Sequence, residues 1–471
     1  AGDGSPRGYG AGPGSILVDF LRWRDAGSPR ALATLDEAAW FLSTFSFLLA
    51  AATKRELLAV DARRRQGEAG ARAALMAPWL PREAARYGAA SALPYLVLRV
   101  PRQHLLAAAL ATLAAAPDSE LTKELKVIFE GEAGVDEGGV RKEFFQLLVP
   151  QLFDPVVGMF VQTSNADDAI FFNGACDWYE MEFELAGLLV GLAAYNSVVL
   201  DIRLPRVAYA KLLDYAARAE DRAFPPRRGG DGAMALGLDD LAELDAGLAR
   251  GLRQLLVFEP AAAVEGTFCR AFVDDDPARA GGTVDLVPGG ADLAVTGANR
   301  EAYVAALVEW RLGRSVAPQF TRFAKGFWRV MQGSALRDVV EPEELQSMVQ
   351  GEAKLDFAAL RRVTVYEGWA DDDCALLSDF WRIVEAYDTE SKRRFLMFVT
   401  GSKTGPMGGL GALRPPAHPA FRIQRAGPDS EHLPTSHTCF NTLLLPEYDP
   451  PEKLAARLHL AFHECEGFGL Q

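Results

Sequence analysis

Residues 181–199 are nearly all apolar, and no other segment limits the fold as strongly. A helix that is apolar around its whole circumference has to be enclosed by other elements. The chain must therefore build a large core around this segment, and 471 residues suffice for roughly two to four folding units.

The flanks supply partners for such a core. Residues 95–100 (Tyr-Leu-Val-Leu-Arg-Val) and 125–129 read as short strands, and a glycine-rich turn follows over 131–139. Val140, Phe144, Phe145 and Leu148 recur at helical spacing, and Pro150 predicts the end of that helix. Residues 274–298 read as short strands joined by turns, and two amphipathic helices follow over 300–313 and 318–331. Near the C-terminal end, Leu376, Phe380, Ile383 and Tyr387 predict one apolar helix face. A last helix begins at Glu452. Residues 218–232, with Pro225-Pro226 and Gly229-Gly230, read as an exposed insertion.

Charge and cysteine usage narrow the function. With 49 basic against 63 acidic side chains the net charge is −14, which counts against a nucleic-acid or anionic-membrane binder. The apolar run over 40–52 is too short to span a bilayer, which takes about 20 residues, so it predicts a buried helix. Five scattered cysteines without a Cys-x-x-Cys pair make a poor disulfide framework and point to a reducing compartment, the cytoplasm or the nucleus.

Few segments carry chemistry. Gly401-Ser402-Lys403-Thr404 lacks the glycine that a phosphate loop needs before its lysine. His459 and His463 share a helix face, but no further metal ligand is suggested beside them. Leu433-Pro434-Thr435-Ser436-His437-Thr438-Cys439-Phe440-Asn441 is more informative. If it runs into a strand, His437, Cys439 and Asn441 fall on one face. A thiol beside an imidazole and an amide is a reasonable nucleophile environment, and a half-buried structural cysteine is the bland alternative.

This segment, with Leu443-Leu444-Leu445-Pro446 after it, closely resembles the active-site segment of HECT-type ubiquitin ligases. Further motifs match in family order. Residues 125–132 (Leu-Lys-Val-Ile-Phe-Glu-Gly-Glu), 135–140 (Val-Asp-Glu-Gly-Gly-Val) and 142–145 (Lys-Glu-Phe-Phe) look like the opening of the N-lobe, and residues 187–201 like its central helix region. Residues 398–401 and 408–410 resemble C-lobe elements, and residues 466–470 resemble the family's end.

The resemblance implies an α+β, bilobal protein with a mostly helical larger N-lobe and a small α/β C-lobe. The expected division is a leader over 1–15, a helical extension over 16–92, the N-lobe over 93–363, a hinge over 364–368 and the C-lobe over 369–471. The extension is expected to be a packing collar of the N-lobe, with a substrate-binding module as the other option. By resemblance Cys439 takes ubiquitin as a thioester from a charged conjugating enzyme and passes it to a substrate lysine. The partners implied are ubiquitin, a conjugating enzyme and a protein substrate, with no cofactor, metal, nucleic acid or membrane.

His437 and Thr438 match positions flanking the nucleophile, Asn441 is a further supporting residue, and Phe468 matches the family's C-terminal aromatic. Leu248, Leu252, Leu256, Phe258 and Tyr303 match the groove that receives the conjugating enzyme, although leucines four apart also suit a core stripe. One departure stands in the active-site loop, where His432 replaces the family's usual arginine. A catalytically idle scaffold and a cysteine protease are the rival readings; the intact Cys439 segment argues against the first, and the second lacks a recognisable base.

Overall fold

The computed structural model describes residues 49–76, 94–132, 139–165, 169–177, 179–219, 236–275, 282–334, 336–369, 374–413 and 420–464. The expected leader, the run over 40–48, the residues from 220 to 232 of the insertion and the segment 465–471 with Phe468 lie outside the described residues. The described buried apolar side chains form two clusters. The first runs from Leu57 to Val349 and the second from Phe357 to Phe462.

The first cluster begins with helix α1 (Ala51–Met76), which buries Leu57, Leu58 and Ala62 in it. Strand β1 (Tyr95–Val100) leads into α2 (Leu105–Ala115), and β2 (Glu124–Phe129) pairs in parallel with β1. Both strands alternate buried and more open positions, as the period of two requires. Helix α3 (Gly139–Phe153) follows. It continues through Pro150, where an end was expected. Proline removes one helical hydrogen bond without stopping the helix here, because Leu152 and Phe153 beyond it are buried in the core.

Next come the hairpin β3 (Phe160–Gln162) and β4 (Ile170–Phe172), then α4 (Glu180–Tyr195), α5 (Arg206–Ala219), α6 (Leu238–Ala242) and α7 (Ala246–Val257). A second hairpin, β5 (Val273–Asp275) with β6 (Thr283–Asp285), precedes α8 (Arg300–Leu312), α9 (Ala317–Met331) and α10 (Pro342–Gln350).

Helix α4 is the enclosed helix predicted from its composition: Phe183, Ala186, Leu188, Leu189, Val190, Leu192 and Ala193 are each at most 1 % exposed. Only its first turn opens, with Met181 at 66 %. It packs on α9 with backbone against backbone. A Cβ on Gly187 would fall 1.8 Å from the Phe323 carbonyl oxygen, and one on Gly326 would fall 1.8 Å from that of Glu184. Glycine alone allows this approach. Phe172 fills the adjoining space against Phe320 and Phe323, with ring centroids 5.4 and 5.2 Å away.

The second cluster forms around α11 (Phe357–Val363), β7 (Val365–Glu367), α12 (Ala375–Glu385), α13 (Thr389–Thr400), β8 (Arg422–Arg425), β9 (Thr435–His437), β10 (Thr442–Leu445) and α14 (Pro451–Glu464). Its sheet has the order β7-β8-β10-β9. The first three strands are parallel, and β9 runs antiparallel on the edge. Helix α12 buries Leu377, Phe380, Trp381 and Val384, while Leu376, Ile383 and Tyr387 sit at the margin. The expected face was therefore one residue out of register, because the fully buried Trp381 draws the helix round.

The connection between the two clusters falls earlier than expected. Val365–Glu367, inside the predicted hinge 364–368, is a strand hydrogen-bonded to β8. The change of core lies between Val349 and Phe357, where Gly351 has φ +71°. Small and polar side chains suggested a hinge at 364–368, but β-sheet pairing immobilises that segment. The chain crosses between the cores just after α10, where Gly351 supplies a positive φ that other residues rarely adopt.

Candidate active site

The hairpin β9–β10 carries the reactive segment. Antiparallel pairing of His437 with Thr442 leaves residues 438–441 to reverse the chain. They do so as a 3-10 turn, Thr438–Phe440, closed by Asn441 in the left-handed region at φ +49°. Asparagine tolerates this conformation better than most residues. The strand expected to carry His437, Cys439 and Asn441 on one face is thus interrupted. His437 ends β9 and is exposed, Cys439 is half-buried in the turn, and Asn441 is buried at 4 % exposure. Thr438 is half-buried beside the cysteine.

The turn is held on both sides. Ser436 Oγ donates to the Phe398 carbonyl at 2.6 Å, tying β9 to α13. The Tyr448 hydroxyl donates to the carbonyl of His432, whose own side chain is exposed. Burial pushes the Tyr448 phenol up to about 12, so it stays a donor at neutral pH. At position 432 the loop is therefore anchored through its backbone, and the imidazole is not what fixes it.

The other cluster supplies the wall facing the turn. Gly139, at the start of α3, lies against Cys439: a Cβ there would stand 2.4 Å from Sγ. One helical turn on, Lys142 Nζ donates to the Thr438 carbonyl at 2.8 Å and the Thr400 carbonyl at 2.9 Å. Burial pushes the Lys142 ammonium down to about 8, against the pull of Cys439 in the other direction. Gln146 Nε2 donates to the Gly401 carbonyl. Residues 139, 142 and 146 share a face at spacings of three and four. Sequence reasoning did not single out these three for this role. Lys142 lies 296 positions before Thr438, and nothing local signals so distant a contact.

Further polar contacts join the clusters. Glu352 and Gly405 exchange backbone hydrogen bonds of 2.8 and 3.1 Å, and the Gly408 amide donates to Glu352 Oε1 at 2.7 Å. From α1, Arg55 donates to the carbonyls of Met407 and Ala412 at 3.2 and 3.1 Å.

The five residues matched to a docking groove do not stand open together. Leu252 and Tyr303 are buried at 5 % and 3 % exposure, and Leu248, Leu256 and Phe258 are half-buried against the same core. Asp245 caps α7 by accepting from the Leu248 amide at 2.8 Å, which turns Ala249, Leu252 and Leu255 inward. Only the edge formed by Leu248, Leu256, Phe258 and the 77 % exposed Val257 is accessible. Elsewhere, the His459 and His463 rings stack with centroids 3.9 Å apart, and His463 Nδ1 lies 3.1 Å from Arg394. Among the described residues no group of three metal-ligating side chains converges.

A half-exposed thiol on a tight turn, reachable from solvent and bordered by polar groups, is suited to attack on an acyl carbon and to release from it. Comparison with known proteins agrees with this chemistry. The profile of the HECT-domain (ubiquitin-transferase) family matches residues 146–471. The chain is 37 % identical over 378 residues to a mouse protein described as probable E3 ubiquitin-protein ligase HECTD2, covering 80 % of this chain and 47 % of that protein. It is 34 % identical over 460 residues to human probable E3 ubiquitin-protein ligase HERC3, covering 97 % of this chain and 41 % of that protein. A fission-yeast relative, probable E3 ubiquitin-protein ligase mug30, is 31 % identical over 91 % of this chain and 52 % of its own length. The chain thus spans about half the length of these curated relatives or less.

Proposed function

The chain belongs to the HECT-domain (ubiquitin-transferase) family, and from that premise we propose that it is a ubiquitin-protein ligase working through a thioester on Cys439. The cysteine attacks the thioester of a charged conjugating enzyme. The carbon–sulfur bond to the donor breaks, and the donor thiolate leaves. A substrate lysine amine then attacks the new thioester, forming the isopeptide bond, losing its proton to solvent and returning the Cys439 thiolate. Sulfur exchange is nearly isoenergetic, so the protein's main task is to bring the reacting groups together.

The observation that carries this reading is the half-exposed Cys439 on the tip of the β9–β10 hairpin. His437 and Thr438 flank it and are proposed to orient the thioester, with Asn441 holding the turn that presents it. Phe468 is proposed to help place the C-lobe for transfer. The conjugating enzyme is proposed to meet the accessible edge of Leu248, Leu256 and Phe258, with Leu252 and Tyr303 supporting that edge from the core. A thiol that must remain free suits the reducing cytoplasm or nucleus.

Incubation with ubiquitin and a panel of charged conjugating enzymes tests the reading on non-reducing gels. A ubiquitin adduct that disappears with thiol reductant and with Cys439→Ala supports it. Absence of an adduct across the panel would favour an idle scaffold, and cleavage of ubiquitin fusions without transfer to lysine would favour a protease.

A further inference from the structure

The face of α3 that meets the active-site turn has no assigned part in this chemistry. Its three residues contact the turn in different ways. Gly139 leaves room for the cysteine sulfur, since a methyl group there would overlap Sγ. Lys142 reaches across the boundary between the two cores to the carbonyl of the residue just before the nucleophile. Gln146 holds the C-terminal end of α13 through the Gly401 carbonyl. The Thr400 carbonyl, also bound by Lys142, belongs to that same helix end.

We propose that Lys142 is a positioning residue for the second half of the reaction: it clamps the Thr438 carbonyl so that the thioester on Cys439 is held for attack by the acceptor amine. The proposal rests on the ligase reading above and adds to it the step that the docked arrangement serves. Bulk distinguishes the two steps. With the lobes docked, α3 covers one flank of the sulfur at Gly139, while Cys439 stays half-open on the other. A second protein delivering its own thioester needs wide access to the sulfur. An acceptor lysine is slender and needs only the open flank. Parting of the lobes for loading would turn at the connection through Gly351 and would exchange the hydrogen bonds from Lys142 and Gln146 to backbone carbonyls for ones to water.

The test separates the two half-reactions with the whole chain. Loading is followed as thioester formed from charged conjugating enzyme. Discharge is followed as loss of preformed thioester to free lysine after the supply is quenched. Lys142→Met is expected to load within about twofold of the unsubstituted protein and to discharge about tenfold more slowly, the size of a modest misplacement of reacting groups. Lys142→Arg keeps a cation able to donate to both carbonyls and is expected to recover most of the discharge rate. Gly139→Ala, which pushes the turn off α3 without touching the lysine, is expected to reproduce the discharge-selective defect. Melting temperatures of all three identify any variant that has simply lost its fold. Discharge of Lys142→Met and Gly139→Ala at the unsubstituted rate would overturn the proposal, as would equal slowing of loading and discharge. Failure of the unsubstituted protein to form any thioester would instead remove the ligase reading beneath it.

Discussion

The centre of the N-lobe and the seam between the lobes both depend on glycines at close approaches, and they differ in what the approach achieves. At the α4–α9 crossing, Gly187 and Gly326 bring two backbones together inside an apolar core, where Leu188, Phe323 and Phe327 are fully buried. At the seam, Gly139 lets a helix lie against a half-open sulfur, and the contacts around it are hydrogen bonds from Lys142 and Gln146 to carbonyls. The first contact cannot open without exposing a large apolar area. The second exchanges its hydrogen bonds for equivalent ones to water at small net cost. Burial makes the first joint costly to open, and the hydrogen bonds of the second are ones that water can replace.

The largest effect expected from any single change sharpens the chemical side of that contrast. Cys439→Ala removes the thiol that carries the acyl group, so ubiquitin transfer should be abolished while the thermal unfolding curve stays in place. Residual lysine conjugation by that variant, measured on reducing gels, would break the reading.

Next comes the core itself. Gly187→Val places side-chain atoms on the Phe323 carbonyl and should cost about 3 kcal/mol of stability, measurable by denaturant unfolding. A cost near zero would mean that α4 and α9 can separate cheaply and that the two joints are not different in kind.

At the connection, Gly351→Ala meets both a left-handed φ of +71° and the Thr404 side chain, whose Oγ1 would lie 2.2 Å from the new Cβ. It should cost about 1–2 kcal/mol through the backbone term alone. The loss should show as weakened lobe docking, visible in hydrogen exchange around residues 401–408, with the α4–α9 core unaffected.

The seam should also respond to pH. With the lobes docked, burial holds the Lys142 ammonium down at about 8, so a lysine returned to water on undocking would bind its proton more tightly. Docking therefore releases a proton as pH rises through this window, and it strengthens. Between pH 7 and 9 the docking constant should rise about tenfold. Cys439 opposes the lowering and Arg141 reinforces it, so both belong in the control set. Energy transfer between a fluorophore on each lobe reads the effect, which should vanish in Lys142→Arg. The smallest change is expected for His432→Arg: the loop there is held by its own carbonyl and Tyr448, so loading rates should stay within about twofold.

Legibility from the sequence followed locality. The apolar run 181–199 announced an enclosed helix, and α4 is enclosed because no orientation of that composition could face water. The strands at 95–100 and 125–129 were visible from period and β-branching. The segment expected as a hinge lies in a sheet, because composition cannot tell a polar linker from a polar edge strand, and Val365–Glu367 pairs with β8. The alternation assumed for His437, Cys439 and Asn441 failed for a similar reason: a strand that must pair with its own continuation has to turn, and the turn fell on Cys439. The stripe Leu248, Leu252 and Leu256 had the right spacing for either a groove or a core, and only packing showed how much of it lies inside.

The enclosed helix, the resemblance to the HECT family and the choice of Cys439 as candidate were all legible without a structure, because each is written in contiguous residues. Tertiary structure alone decided that the cysteine rests against Gly139 and that Lys142 holds its turn from the other lobe. Those contacts join residues hundreds of positions apart, and the shorter hydrogen bonds from Lys142 go to backbone carbonyls, which every residue carries. A partner recognised through its main chain leaves no mark in its side-chain sequence.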